Sequence, residues 1–442
     1  MARWERAIVM GGSMAGLLAA RVLADHATEV VVLERDELPG APGHRKGVPQ
    51  SRHTHVLLGA GRRTLEQLFP GLTDDAMGRG AVQGDALKDV RRYIGGGYHA
   101  SAPSAMRTLY ISRPLLESLV RERVRSLPNV RVMERADVRG VAWSPDQGRV
   151  TGVTVDHEGT HDTIAADLVV DATGRGSRSP QWLQQAGYEA PDEELVECNA
   201  AYATQLFRAA PGQLRGLRAV VVPMAPGRLR GAVLARQEDE TWTLSLMGLR
   251  GDRPPIDTAG FRAFARSLPA SEIAELAESA EPIGDPVPAA FPSNVRRRYD
   301  LLERFPDGYL VVGDAICSFN PMYGQGMSVA ALELAALAET LAEPAAEQVG
   351  PRFFRRAAPV LEAPWLLAAG NDLRLTRPDA PVEGRTRFVR WYMDRLHVAA
   401  RTDVAVAQAF LLVAGLVAPP ASLMKPAIMV RVLGATLAGR AA

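Results

Sequence analysis

The stretch Ala7-Ile8-Val9-Met10-Gly11-Gly12-Ser13-Met14-Ala15-Gly16, followed by the apolar run Leu17–Ala24, decides how this chain is read. Four apolar residues in succession suit a strand covered on both faces. A glycine-rich turn follows, then apolar residues at helical spacing. A second apolar strand, Glu29–Leu33, ends at Glu34. Strand, helix and strand fit within about 30 residues, the compact βαβ unit that gives the pattern Gly11-x-Ser13-x-x-Gly16 its meaning. Gly11 permits the tight turn, and Gly16 lets the helix pack close to the strand. The small Ser13 between them lets backbone N–H groups approach a pyrophosphate at the positive helix end.

Glu34 stands at the end of the second strand, where a carboxylate can accept from ribose hydroxyls. A negative charge there disfavours a 2′-phosphate, so the expected nucleotide is an unphosphorylated adenosine such as that of FAD or NAD. Two further stretches have chemistry of the same kind. Val170-Asp171-Ala172-Thr173-Gly174-Arg175-Gly176-Ser177-Arg178 closes an apolar strand. Gly313-Asp314-Ala315 closes another and leads into Asn320-Pro321-Met322-Tyr323-Gly324-Gln325-Gly326-Met327. An Asp at a strand end can accept from ribityl hydroxyls, and a Gly-rich loop lets a helix N-terminus approach a flat ring and stabilise negative charge on it.

Taken together, the motifs resemble those of the class A FAD-dependent monooxygenases, the aromatic hydroxylase and epoxidase superfamily with the glutathione-reductase-type FAD fold. The likeness covers about residues 5–190 and 300–345. Gly11–Gly16 corresponds to the N-terminal fingerprint, Gly174–Ser177 with Arg178 to the central motif, and Gly313-Asp314 through Met327 to the C-terminal motif. The resemblance implies an FAD site formed by Gly11, Ser13, Met14, Ala15, Gly16, Glu34, Arg35, Arg45, Gln50, Arg113, Val138, Thr173, Gly313, Asp314, Pro321, Gly324, Gly326 and Met327. Arg113 is placed near the pyrophosphate and Val138 beside the adenine. The stretch Arg45–His55 is similar to that of bacterial epoxidases acting on polyenes and polyketides, and distantly to squalene epoxidase.

The remaining sequence bounds this reading. The chain has 442 residues, 47% of them hydrophobic and 23% charged, with 51 basic against 50 acidic groups. These proportions exclude a disordered or fibrous chain, and a net charge of +1 gives no footprint for nucleic acid. Cys198 and Cys317 are too few for a disulfide framework or a cysteine-based zinc site, so a reducing, cytoplasmic setting is expected and no metal is. No signal peptide is read at the N-terminus. Val404–Val417 falls short of a membrane span and is read as a buried helix, an interfacial membrane contact being the lesser alternative.

Helical patterns are expected over Thr54–Leu68, Pro114–Ser126, Phe261–Ala280 and Gly326–Ala342, and from Val349 onward with breaks at proline. Strands are expected at Val130–Glu134, Val138–Trp143, Val150–Val155 and Asp167–Asp171. Ala201–Phe207, Ala219–Pro223, Gly231–Leu234 and Thr241–Met247 lack intervening helices and should pair antiparallel. The fold class expected is α/β, with a Rossmann-type FAD domain (1–190 and 300–345), an interleaved antiparallel substrate sheet (191–299) and C-terminal helices (346–442).

The activity implied is NAD(P)H-dependent oxygenation, with O2 as co-substrate. Oxygen would pass from a flavin C4a-hydroperoxide to an electron-rich carbon of a small lipophilic substrate, polyketide- or terpenoid-like. The nicotinamide would bind transiently, because no second nucleotide-binding unit is visible. Alternatives are a prenyl-lipid-type flavin reductase and a non-redox cyclase that keeps FAD as structure. His53 and Tyr323 are the candidate catalytic residues. Two readings stand for each: His53 orients substrate or caps a helix, and Tyr323 faces the isoalloxazine or only packs. Cys317 is read as a small buried residue of the flavin-side loop, and Arg121, Arg123 and Arg125 as a solvated helix face. The sequence leaves the oligomeric state open.

Overall fold

The computed structural model describes residues 2–210, 212–214, 216–344 and 348–438. At its centre lies an all-parallel sheet in the order Tyr309–Val311, Leu168–Asp171, Trp4–Met10, Ala27–Leu33 and Val130–Met133. Ala7–Met10 and Val30–Val32 are fully buried, as unbroken apolar runs require in a sheet covered on both faces. Register matters more than composition here. Met10 pairs with Asp171, and Asp171 with Val311, so three strands end level with one another. The motifs that follow them in sequence, far apart along the chain, therefore emerge side by side at the carboxyl edge of one sheet, where open α/β sheets bind their ligands.

Helix Met14–Ala24 lies against this sheet, and helix Gly326–Ala342 against that helix. A small antiparallel sheet of Ala136–Trp143, Val150–His157 and Thr160–Ala165 stands beside them. Thr160–Ala165 was not expected: its burial is low and its residues mostly polar, so no apolar alternation marks it.

The second layer is an eight-stranded sheet. Glu193–Arg208, Thr241–Gly248, Arg230–Arg236 and Ala219–Val222 pair antiparallel in that order. The sheet also takes Val90–Ile94 and Gly97–Tyr98 from the first third of the chain, and Cys317–Ser318 from the flavin-side loop. Glu281–Arg297, a 17-residue strand, went unread because Pro282, Pro286, Pro288 and Pro292 argue against one. Pro286 and Pro292 fall in the two breaks of its register with Glu193–Arg208, while Pro282 and Pro288 sit opposite Phe207 and Ala203. On the other side of this strand, among the described residues, only Cys317–Ser318 pairs, opposite Val295 and Arg296, which leaves the stretch that holds the prolines at a sheet edge.

Helix boundaries differ in two places. Residues 54–58 are not helical and the helix is Gly59–Leu68. Phe261–Ala280 is two helices, Thr258–Arg266 and Ser271–Ser279, parted at Pro269. The C-terminal region contributes helices Val349–Thr376, Gly384–Ala399, Val404–Ala414 and Pro426–Ala438. The first runs unbroken through Pro359 and Pro364, where breaks were expected. Phe353, Phe354, Leu361, Trp365 and Ala368 bury one face of it in the main core, and that packing outweighs the two lost backbone bonds. The expected domain edge near 345 falls among residues 345–347, outside the described ones. Among the described residues no helix is long and apolar enough to cross a membrane.

Candidate active site

The site is built on Gly11. Its φ of +102° is open only to glycine without strain, and a Cβ there would lie 2.7 Å from the Ala172 carbonyl oxygen. A Cβ on Gly16 would lie 1.8 Å from the Gly11 oxygen, so helix and turn are in backbone contact. Ser13 occupies the N-cap but its hydroxyl does not cap. It donates to Glu117 Oε2 at 3.0 Å and accepts from Arg113 Nη2 at 2.7 Å. The first N–H groups of the helix are thereby left for a ligand, with a guanidinium beside them.

Beneath this turn lies a buried charge network. Arg45 pairs with Glu34 at 2.9 Å, Asp36 at 3.1 Å and Glu117 at 3.0 Å. Burial opposes the charge on Glu117, but Arg113 and Arg45 outweigh it and hold its pKa below the usual carboxylate range. Glu34 accepts from the Gly12 N–H at 2.8 Å and the Asp36 N–H at 3.0 Å. One carboxylate thus braces the turn and still faces the cavity where ribose is expected.

The second motif acts through Asp171, fully buried at its strand end. Asp171 accepts from the Thr173 N–H at 2.8 Å, the Thr173 hydroxyl at 2.6 Å and the Ser177 hydroxyl at 2.5 Å, and also from Ser179. It shapes the loop, and Thr173 presents itself to the cavity. The Val138 carbonyl accepts a hydrogen bond from the Arg178 guanidinium.

In the third motif Gly313 has φ +68° and gives its N–H to Glu333 at 2.7 Å. The Asp314 carboxylate next to it is surrounded by protein yet open to the cavity. Desolvation raises its pKa, while Arg113 and Arg175 pull the other way. The Gly326–Ala342 helix begins without a side-chain cap. An uncapped helix end, an Asp aimed at the cavity and two turns only glycine can make are the features a flavin dinucleotide requires; the residues fit FAD.

These parts converge on one cavity of about 2730 Å³, well beyond the roughly 1,000 Å³ of large single-ligand pockets. Every residue expected to bind FAD lines it except Gly16 and Gly313, which lie just behind its wall. His53 and Tyr323 line it too. His53 Nδ1 meets the Thr204 hydroxyl at 2.8 Å, which meets Ser245 at 2.6 Å, and Ser245 meets the Thr54 hydroxyl at 2.8 Å. Burial lowers the His53 pKa to about 4, so the ring is neutral at pH 7. His55, beside it, is lowered to about 3 and bonds the His53 carbonyl at 2.9 Å. Burial holds the Cys317 thiol well above its ordinary value. Among the described residues no three His, Cys, Asp or Glu side chains gather as a metal site.

Tyr323 donates to Asp372 Oδ1 at 2.6 Å and accepts from Asn371 at 2.9 Å. Asp372, fully buried on helix Val349–Thr376, also accepts from Asn294 at 2.8 Å and Asn320 at 2.9 Å, and Asn320 in turn accepts from Tyr202. This network ties the flavin-side loop to a C-terminal helix, and the sequence reading missed it. The available signal was an acid in the buried stripe Trp365, Ala368, Ala369, Asp372, Leu375. Burial, with Asp372 adjacent, pushes the Tyr323 phenol well above its ordinary value, so it remains a donor at neutral pH. Arg175, which the central motif contains without a role of its own in the sequence reading, also lines the cavity; it bonds Ser293 and lies 5.0 Å over the Phe291 ring.

Comparisons with known proteins agree with this geometry. Protein Rv3254 of Mycobacterium tuberculosis is 38% identical over 422 residues, spanning 92% of this chain and 88% of its own. PqsL, a probable FAD-dependent monooxygenase from Pseudomonas aeruginosa, superposes with a TM-score of 0.66 at 19% identity, over 87% of this chain and 98% of its own. The p-nitrophenol 4-monooxygenase PnpA from Pseudomonas putida does so at 0.64 and 20%, over 93% and 98%. The flavin-dependent brominase Bmp2 gives 0.67 at 16% identity, over 99% of each chain. The FAD binding domain family matches residues 5–357. With that match, and with a fold shared with FAD-dependent monooxygenases, the chain belongs to the FAD binding domain family.

Proposed function

We propose that the protein is an FAD-dependent monooxygenase that takes electrons from NAD(P)H and inserts one atom of O2 into a small, lipophilic, polyketide- or terpenoid-like substrate. The observation that carries this reading is the continuity of the cavity. It runs from the three dinucleotide motifs past the loop Pro321–Gly326 into a chamber walled by Val221, Val233, Met224, Met247 and Phe291. FAD, when bound, supplies the electron transfer and oxygen activation. The protein's part is to bind, orient and keep dry. Ser13, Arg113 and the open helix end hold the pyrophosphate, and Asp314 holds the ribityl chain. The glycines of the loop bring backbone against the ring, and the apolar wall excludes water.

His53 and Tyr323 act on substrate position in this reading. His53, neutral and fixed by Thr204, begins a line of exchangeable protons that ends at the Thr54 hydroxyl. Such a line can anchor a substrate hydroxyl and hand its proton on. Tyr323 is held by Asp372 at the ring-side loop. Cys198 and Cys317, both free and buried, accord with a reducing cytoplasmic setting.

The test is NAD(P)H consumption with and without substrate and O2. A monooxygenase consumes NAD(P)H in step with both. Consumption that persists anaerobically with a reduced product indicates a reductase, and product formation without NAD(P)H indicates the cyclase scaffold.

A further inference from the structure

The end of the cavity remote from the dinucleotide motifs is not uniformly apolar. It is built where strand Val90–Ile94 and its Gly95-Gly96 turn meet the C-terminal helices. A Cβ on Gly95 would lie 2.8 Å from the His397 Cβ, and the Ala100 N–H bonds the Ala400 carbonyl at 2.7 Å. Arg92 and His397 line the cavity here, with Phe410, Met393 and Val389 around them. His99 stacks on His397 at 5.4 Å, and Phe410 stands edge-on to both rings.

Two observations set this corner apart. Arg92 donates a hydrogen bond to the Ala86 carbonyl at 2.6 Å and forms no ion pair among the described residues. Asp85 and Asp89, which reach the neighbouring Tyr110, spend oxygens on the N–H groups of Leu87, Lys88, Ser104 and Asp85. Arg374, beside His397, is already paired with Asp394 at 2.8 Å. In addition, both ring nitrogens of His99 and Nδ1 of His397 are buried with no hydrogen-bond partner among the described residues. A cation without a counter-charge next to unpartnered donors is costly in the free protein, and is what a site for an anionic oxygen requires.

We propose that Arg92 and His397, backed by His99, bind an anionic oxygen group — a carboxylate or ionised phenol — at the far end of the substrate. The proposal rests on the reading of the cavity as a substrate chamber, and narrows the substrate to an amphiphile: an apolar body carrying one acidic group. Burial leaves Arg92 near pKa 10 and both imidazoles near 3 to 4. At neutral pH the guanidinium therefore carries the charge, and each ring contributes a neutral N–H. His397 and Phe410 lie beyond residues 5–357, so the region outside the family match supplies half of the subsite.

Calorimetric titration of the oxidised FAD-loaded protein with 2-naphthoate, anthracene-2-carboxylate and their methyl esters tests this. The acids are expected to bind about tenfold or more tighter than the esters, the worth of one charge-assisted hydrogen bond. In Arg92→Met that preference falls below about twofold, while Arg92→Lys keeps part of it. Equal or weaker binding of the acids by the unaltered protein overturns the proposal, whether or not any variant folds. So does an undiminished preference in Arg92→Met. No turnover enters the measurement, so failure of the oxygenase reading would show in NAD(P)H and O2 consumption and leave this result standing.

Discussion

Replacing Glu333 by Gln isolates the device that holds the third motif in place. Glu333 is fully buried in helix Gly326–Ala342, with Oε2 accepting the Gly313 N–H at 2.7 Å and Oε1 without a hydrogen-bond partner among the described residues. Desolvation first, and the neighbouring Asp314 second, raise its pKa from 4.5 to about 8, while the Gly313 hydrogen bond works the other way. The folded protein therefore keeps a proton that the unfolded chain releases above pH 4.5. Stability from this group is fully present below pH 4.5 and is lost as pH rises towards 8. At about 1.4 kcal/mol per unit, the loss between pH 5.5 and 8 is on the order of 3 kcal/mol. Gln has the same shape and keeps a carbonyl for Gly313, but it has no proton to lose. Thermal unfolding at pH 5.5 and 8, with FAD at equal excess, should show a smaller drop for Glu333→Gln than for the unaltered protein. The variant should be the more stable of the two at pH 8. Parallel pH dependence in both proteins would refute the assignment of Glu333 as a protonated acid.

Three other outcomes are expected. Gly16→Ala places a fixed Cβ 1.8 Å from the Gly11 oxygen, which no rotamer relieves, so FAD content per chain and melting temperature both fall; unchanged values would contradict the backbone contact. Asp314→Ala should weaken FAD binding about tenfold or more, the worth of a charge-assisted bond, and Asp314→Asn by less. Equal FAD affinity in both variants and the parent would move the ribityl site elsewhere. Tyr323→Phe leaves Asp372 and Asn371 each without one partner, and should cost about 1–3 kcal/mol of stability on chemical denaturation with FAD stoichiometry retained. No loss of stability would mean that the network does not bear on Tyr323.

What the sequence made legible was local. Gly11–Gly16, Glu34 and Gly313-Asp314 are read from strand ends and glycines, because the constraint on each lies within a few residues of it. The parallel strands were legible for the same reason, most of them holding a continuous apolar run and Val130–Met133 an alternating one. Glu281–Arg297 was hidden because its prolines are tolerated at register breaks and along a sheet edge, which are properties of the sheet and not of the strand. The acids and arginines that finish the cavity were hidden for a like reason. Asp372 reads as one polar residue in a long helix until Asn294, Asn320 and Tyr323, from two other segments, converge on it. Arg92 and His397 are 305 positions apart and gain meaning only where the Gly95-Gly96 turn touches the C-terminal helices.

The most direct test of the oxygenase account is isotopic. The FAD-loaded protein is incubated with NAD(P)H under 18O2 and a panel of lipophilic alkenes and polycyclic aromatics, and the products are analysed by mass spectrometry. The account predicts a product carrying one 18O atom, and none when the label is supplied as H218O under unlabelled O2. A product that carries no label from 18O2, whether reduced or merely rearranged, would contradict it.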